Sequence, residues 1–130
     1  MCLEIAKIRG KNRKYAYKLV KGVNGSTFNS YFRRNAIYTL GQWTVSNREN
    51  KTLDKQEKND KEISKGIHVY TSLKAALDMQ DYWRSCGSKT SIIRVKVNPS
   101  DWVADGENDE AVYMKVKPIG IVKRGNNERR

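Results

Sequence analysis

The sequence predicts a single α+β domain, a largely antiparallel sheet of four or five strands with one main helix over about residues 73–86. Three observations carry that expectation. Short β-branched and aromatic runs with period-two alternation recur along the chain. Only residues 73–86 keep an apolar spacing of three and four. No alternating βαβα run appears, which a mostly parallel sheet would show. A length of 130 residues suits one core, taken here as residues 1–124 with a frayed tail at 125–130.

The elements follow in chain order. Residues 14–21 set Tyr15, Tyr17 and Leu19 on one side, a strand pattern, and residues 22–26 form a turn because Asn24-Gly25 accepts positive φ. Residues 37–45 are β-branched and aromatic, a second strand with Gly41 allowing a bend. Residues 46–65 hold no aromatic, and only Leu53 and Ile63 as large apolar groups. So little burial predicts a mobile charged loop, although Asp54/Lys58 and Glu57/Lys61 also suit a short solvated helix. Residues 66–72 read as a third strand, with Ile67 and Val69 facing away from His68 and Tyr70, and with Ser72 as N-cap of the helix. In the helix Leu73, Ala76, Leu77, Met79, Tyr82, Trp83 and Cys86 recur at three- and four-residue steps, with Cys86 packed under its end and Gly87 just past the C-cap. Residues 91–97 are a fourth strand, 98–101 a turn, 105–109 a polar loop, and 111–117 a fifth strand through Val112, Met114 and Val116.

The net charge is +12, and it is uneven. Residues 1–46 carry +8, residues 47–62 balance, residues 63–102 carry +3 and residues 103–130 carry +1. The first third therefore sets the field that a polyanion meets. Its cations are Lys7, Arg9, Lys11, Arg13, Lys14, Lys18, Lys21, Arg33 and Arg34, the candidate nucleic-acid or polyanion contacts. Tyr15, Tyr17, Tyr31 and Phe32 lie among them, and rings between cations stack unpaired bases while the cations take phosphates. The same rings at 15 and 17 are equally at home as strand residues in a core.

Little else points to chemistry. His68 is the only histidine, so a histidine metal cluster is excluded, and Cys2 and Cys86 are too distant in sequence for a zinc-finger pair. Neither glycine-rich phosphate-binding motif occurs. No apolar run reaches the ~18 residues of a membrane span. The opening Met1-Cys2-Leu3-Glu4 has neither part of a secretory signal, so the expected location is cytoplasmic.

Two resemblances add to this reading. Tyr15-Ala16-Tyr17-Lys18, Leu40-Gly41-Gln42-Trp43, Lys65-Gly66-Ile67-His68-Val69-Tyr70, then a helix and Ile93-Arg94-Val95-Lys96-Val97, resemble small uncharacterised phage-encoded α+β domains over residues 15–122. This resemblance implies a phage protein acting in the host cytoplasm and assigns no activity. Tyr70-Thr71-Ser72, the helix with Ala75, Ala76 and Tyr82, residues 93–97, and Glu110-Ala111-Val112-Tyr113 resemble the mini-fold of ADP-ribosyltransferases over residues 66–122. That resemblance implies NAD as co-substrate, with Tyr70 and Ser72 holding nicotinamide-ribose and Glu110 stabilising an oxocarbenium-like centre. The family's first strand usually supplies an Arg or His for the dinucleotide, and here it offers only Lys18.

The leading expectation is a small basic, non-enzymatic phage-type accessory protein without a cofactor. It would bind nucleic acid, or a host nucleoprotein or defence component, through its first third. The alternatives are an NAD-using ADP-ribosyltransferase-like enzyme and an interaction module for an acidic protein.

Overall fold

The computed structural model of the protein describes residues 3–5, 12–30 and 37–123. The strands are β1 (Leu3–Glu4), β2 (Tyr15–Asn24), β3 (Thr27–Ser30), β4 (Ile37–Thr39), β5 (Thr44–Val45), β6 (Glu62–Ile63), β7 (Ile67–Tyr70), β8 (Ser91–Val97), β9 (Trp102–Asp105), β10 (Glu110–Tyr113) and β11 (Lys115–Val122). Helix α1 spans Lys55–Asp60 and helix α2 spans Leu73–Ser85. The main sheet runs β5-β11-β8-β2-β7-β10-β9, with β3 and β4 branching from β2, while β1 and β6 pair separately. Every pairing is antiparallel. The α+β class with one main helix therefore holds. The strands are more numerous than four or five: β1, β3 and β6 fall outside the predicted runs, β2 continues to Asn24 through the start of the predicted turn at 22–26, and two runs are divided.

Two runs that alternate as single strands are each broken in two. Residues 37–45 divide into β4 and β5 at Gly41, whose φ of +78° turns the chain and whose N–H donates to the Pro118 carbonyl at 2.8 Å. Residues 111–117 divide at Met114, whose N–H donates to the Asp101 carbonyl and whose own carbonyl accepts from Ser46, each at 2.8 Å. With its backbone groups drawn out of the ladder, the chain leaves β10, beside β7, and re-enters as β11 beside β8. β9 follows the Asn98–Asp101 turn directly, and the sequence reading did not separate it from the surrounding loops.

The two sheet faces bury different sets. Ala16 and Val20 of β2, Ile67 and Val69 of β7, Ile93, Val95 and Val97 of β8, and Ala111 and Tyr113 of β10 form one core, which Phe28 of β3 and Tyr38 of β4 join. On the opposite face α2 seats Ala76 and Leu77 against Leu19, Tyr70 and Ile92. Each buried Val, Leu or Ile side chain contributes roughly 1.5–3 kcal/mol. Ser72 caps the helix by accepting from the Ala75 N–H at 3.1 Å, and Gly87 past its end has φ +88°. Cys86 at the C-cap is exposed, not tucked beneath the helix end: it follows Tyr82 by four residues, and that ring is itself 56% exposed.

Residues 46–65 contain more anchors than their composition suggests. The short solvated helix is present as α1, closed by a reciprocal capping box between Asp54 and Glu57. Arg48 is buried and gives two hydrogen bonds to the Glu57 carboxylate, at 2.6 and 2.7 Å, and others to the Asn50 and Thr52 carbonyls. Ile63 is fully buried with Val103, Ala104 and Val112. The tail at 125–130 lies outside the described residues. No helix among the described residues is long and apolar enough to cross a membrane.

Candidate nucleic-acid interface

Strand register sets one exposed face of the sheet. Tyr15 of β2 lies opposite Lys96 of β8, and Lys96 lies opposite Lys117 of β11. Residues directly opposite across antiparallel strands share a face, so Tyr15, Lys96 and Lys117 form one row. A second row runs Glu110–Tyr70–Tyr17–Arg94–Gly120 across five strands. The intervening positions Ala16, Val95 and Val116 are fully buried. A slip of one residue would drive the cations into that core and the valines into water, so burial on one side pins the charges outward on the other.

Aromatic rings stand among these cations. The Arg94 guanidinium carbon is 4.2 Å from the centre of the Tyr15 ring. The Lys115 and Lys117 ammonium groups are 5.1 and 5.7 Å from the Trp43 ring. Tyr15 is 43% exposed and Trp43 39%, so both rings keep surface free for a further contact. Among the described residues, Arg94, Lys96, Lys115 and Lys117 enter no ion pair; the pairs there join Arg13 to Asp105, Arg48 to Glu57 and Lys74 to Asp78. A field of four uncompensated cations interleaved with two aromatic faces can take phosphates and planar rings at once.

The cations picked out by charge density divide differently. Lys7, Arg9, Lys11, Arg33 and Arg34 lie outside the described residues. Lys14 and Lys21 are exposed on β2 and its approach. Arg13 and Lys18 serve the fold instead. Arg13 donates to both carboxylate oxygens of Asp105, at 3.0 and 2.7 Å, and to the Tyr113 hydroxyl at 2.8 Å. Lys18 is 6% exposed, gives its ammonium to the His68 carbonyl at 2.8 Å and lies 5.4 Å from the Tyr38 ring. Strands β2 and β7 pair only at Tyr17 and Tyr70, and the Lys18 ammonium bridges them beyond that point.

The other sequence-derived set is brought together in part. Tyr70 and Glu110 lie directly opposite each other, and burial holds the Glu110 carboxyl above its usual range. Burial, and then the Glu110 charge, push the Tyr70 phenol upward as well. Ser72 is occupied as the helix cap and donates from its hydroxyl to Asp109 at 3.3 Å. Asn108 and Asp109, at φ +62° and +57°, make the turn that places Asp109 there. Neither the cleft beside α1 nor the one beside β9 is lined by Tyr70, Ser72 or Glu110.

Arg94, Lys96, Lys115, Lys117 and Trp43 are not among the contacts that charge density along the chain picks out. Their signal was the alternation of charge with valine in 94–97 and 115–117, which segment totals hid because acids elsewhere in those segments offset the cations. No protein-family model, curated protein or solved structure matches this chain.

Proposed function

We propose that this protein binds nucleic acid, non-enzymatically, through the open face of β2, β8 and β11. The observation that carries the reading is the row Tyr15–Lys96–Lys117, flanked by Arg94 on Tyr15 and by Trp43 between two lysines. Lys96 and Lys117 are cross-strand neighbours of like charge, an arrangement that costs stability in the free protein. Phosphates offset that repulsion, and displacing their condensed counterions adds a salt-dependent driving force. The rings distinguish nucleic acid from an acidic protein: carboxylates need only the cations, whereas bases use the π-faces as well. A host nucleoprotein would meet the same face through its nucleic acid. The test is fluorescence anisotropy with a labelled oligonucleotide at low and moderate salt. Binding should weaken as salt rises and fall in Lys96→Glu and Lys117→Glu, and absence of binding at low salt would overturn the reading.

A second reading rests on Tyr70 and Glu110, opposed across two strands with the carboxyl partly desolvated. An ADP-ribosyltransferase-like reaction would use Glu110 to stabilise the oxocarbenium-like centre left as nicotinamide departs from NAD, with Tyr70 against the nicotinamide-ribose. Transfer of label from NAD to lysate proteins or nucleic acid, abolished by Glu110→Gln, would favour this reading over the binder.

A further inference from the structure

We infer that the face takes a single strand of nucleic acid, laid across β2, β8, β11 and β5 with bases stacked on Tyr15 and Trp43. The inference rests on the nucleic-acid reading above and specifies its ligand. Both rings are large, exposed and on the same side of the sheet as the cations. In a duplex the bases stack on one another and present only their edges in the grooves, so neither ring would find a π-face. In a single strand every base has an open face.

Spacing agrees with this. Trp43 directly precedes β5, and the sheet order places β5 three strands from β2, with β11 and β8 between. At ~4.8 Å per strand the backbone positions of the two rings are separated by roughly 14 Å. Lys117 and Lys96 occupy the two intervening strands and lie opposite each other. Ring, ammonium, ammonium, ring is the order a chain meets if its phosphates settle between two stacked bases. Gly120 lies opposite Arg94, and a Cβ there would meet nothing within 4 Å, so the sheet is open at that position. Helix α2 sits on the same face over Leu19 and Ile92, which makes the open area a shelf with one wall.

Stacking and phosphate contact do not read the 2′-hydroxyl, and stacking tolerates every base, so DNA and RNA strands should bind alike. The experiment is anisotropy on the full chain at one salt concentration with three probes: oligo-dT, oligo-U, each of about 12 nucleotides, and a duplex of matched phosphate number. Both single strands should bind about tenfold more tightly than the duplex, and Tyr15→Ala and Trp43→Ala should each lower single-strand affinity about tenfold. Tyr15→Phe and Trp43→Phe, which keep a ring, should recover most of that loss. Oligo-dT should also quench tryptophan emission, and Trp43→Phe should remove most of the quench. Equal affinity for single strand and duplex, or single-strand affinity insensitive to both alanine changes, would overturn the inference. If Lys96→Glu still weakened all three probes, the broader nucleic-acid reading would survive that result. No binding to any probe would overturn both.

Discussion

The Arg94 guanidinium stacks on the Tyr15 ring with its carbon 4.2 Å from the ring centre, although the register sets Tyr15 opposite Lys96. The contact is therefore diagonal, reaching two residues along β8. It leaves the guanidinium edge, with its hydrogen-bond donors, open to solvent. At an exposed site such stacking contributes about 0.5–1 kcal/mol. Its larger consequence is that the flat cation is held in place before a ligand arrives.

Arg94→Lys keeps the charge but loses the planar fork and most of the stacking. Nucleic-acid affinity should fall about threefold to tenfold with little change in salt dependence, read by anisotropy across a salt series.

Lys96 and Lys117 should act through charge alone. In the double variant Lys96→Glu/Lys117→Glu, the slope of log affinity against log salt, read with oligo-dT, should flatten by about 1.4 units, ~0.7 per lost phosphate contact. Arg13→Ala should leave that slope unchanged. Because it removes the cation from the Asp105 carboxylate, which keeps the Trp102 indole N–H at 2.9 Å, and takes a donor from the Tyr113 hydroxyl, it should instead cost about 2–3 kcal/mol in urea denaturation.

Glu57 ties residues 46–65 to pH. Hydrogen bonds from Arg48 are the main cause holding its carboxyl below the usual range. A carboxyl whose folded pKa is lowered stabilises the fold above its unfolded value of about 4.3 and loses that contribution as pH falls through the folded value. Glu57→Gln should lower stability at neutral pH and flatten the acid side of the stability profile. Ile63→Ala, in the same segment, should cost about 3 kcal/mol through the cavity it leaves.

Glu110 should behave with the opposite sign. Burial raises its folded pKa, so the native state holds the proton more tightly than the unfolded chain. Stability should then decline as pH rises from about 4.3 through the raised folded value. Glu110→Gln should remove that decline and stabilise the protein near neutrality. Assayed beside wild type, it should show unchanged or slightly tighter oligonucleotide binding and no NAD-dependent labelling in either protein. Labelling by the wild type that disappears in the variant would favour the transferase reading.

Gly66 tests the packing of β7 on β10. Its φ is +115°, and a Cβ there would collide with Val112 Cγ1 in the fully buried interior. Gly66→Ala should cost about 3 kcal/mol or more in urea denaturation, with contributions from both backbone strain and overpacking.

The strands at 15–20, 67–70 and 91–97 and helix α2 with its Ser72 cap were legible in the sequence, because periodicity and capping act over a few residues. The breaks at Gly41 and Met114 were less so. The ladder is interrupted at Met114 because its N–H donates to the Asp101 carbonyl and its carbonyl accepts from the Ser46 N–H, which no local pattern announces. The anchors of 46–65 were hidden for a similar reason: Ile63 finds Val103 and Val112 from distant strands.

The sequence by itself determined that valines alternate with cations along β8 and β11, and that the first third is rich in positive charge. Only the tertiary structure decided which charges face outward together. Arg13 is drawn inside by Asp105, 92 residues away in sequence, and Lys18 by the His68 carbonyl, 50 residues away. Arg94, Lys96 and Lys117 come to flank Tyr15 and Trp43 because antiparallel register joins segments remote in the chain. Charge density is a sum along the sequence, whereas a binding face is a neighbourhood in space. The core chose that neighbourhood when it buried Ala16, Val95 and Val116 on the other side of the sheet.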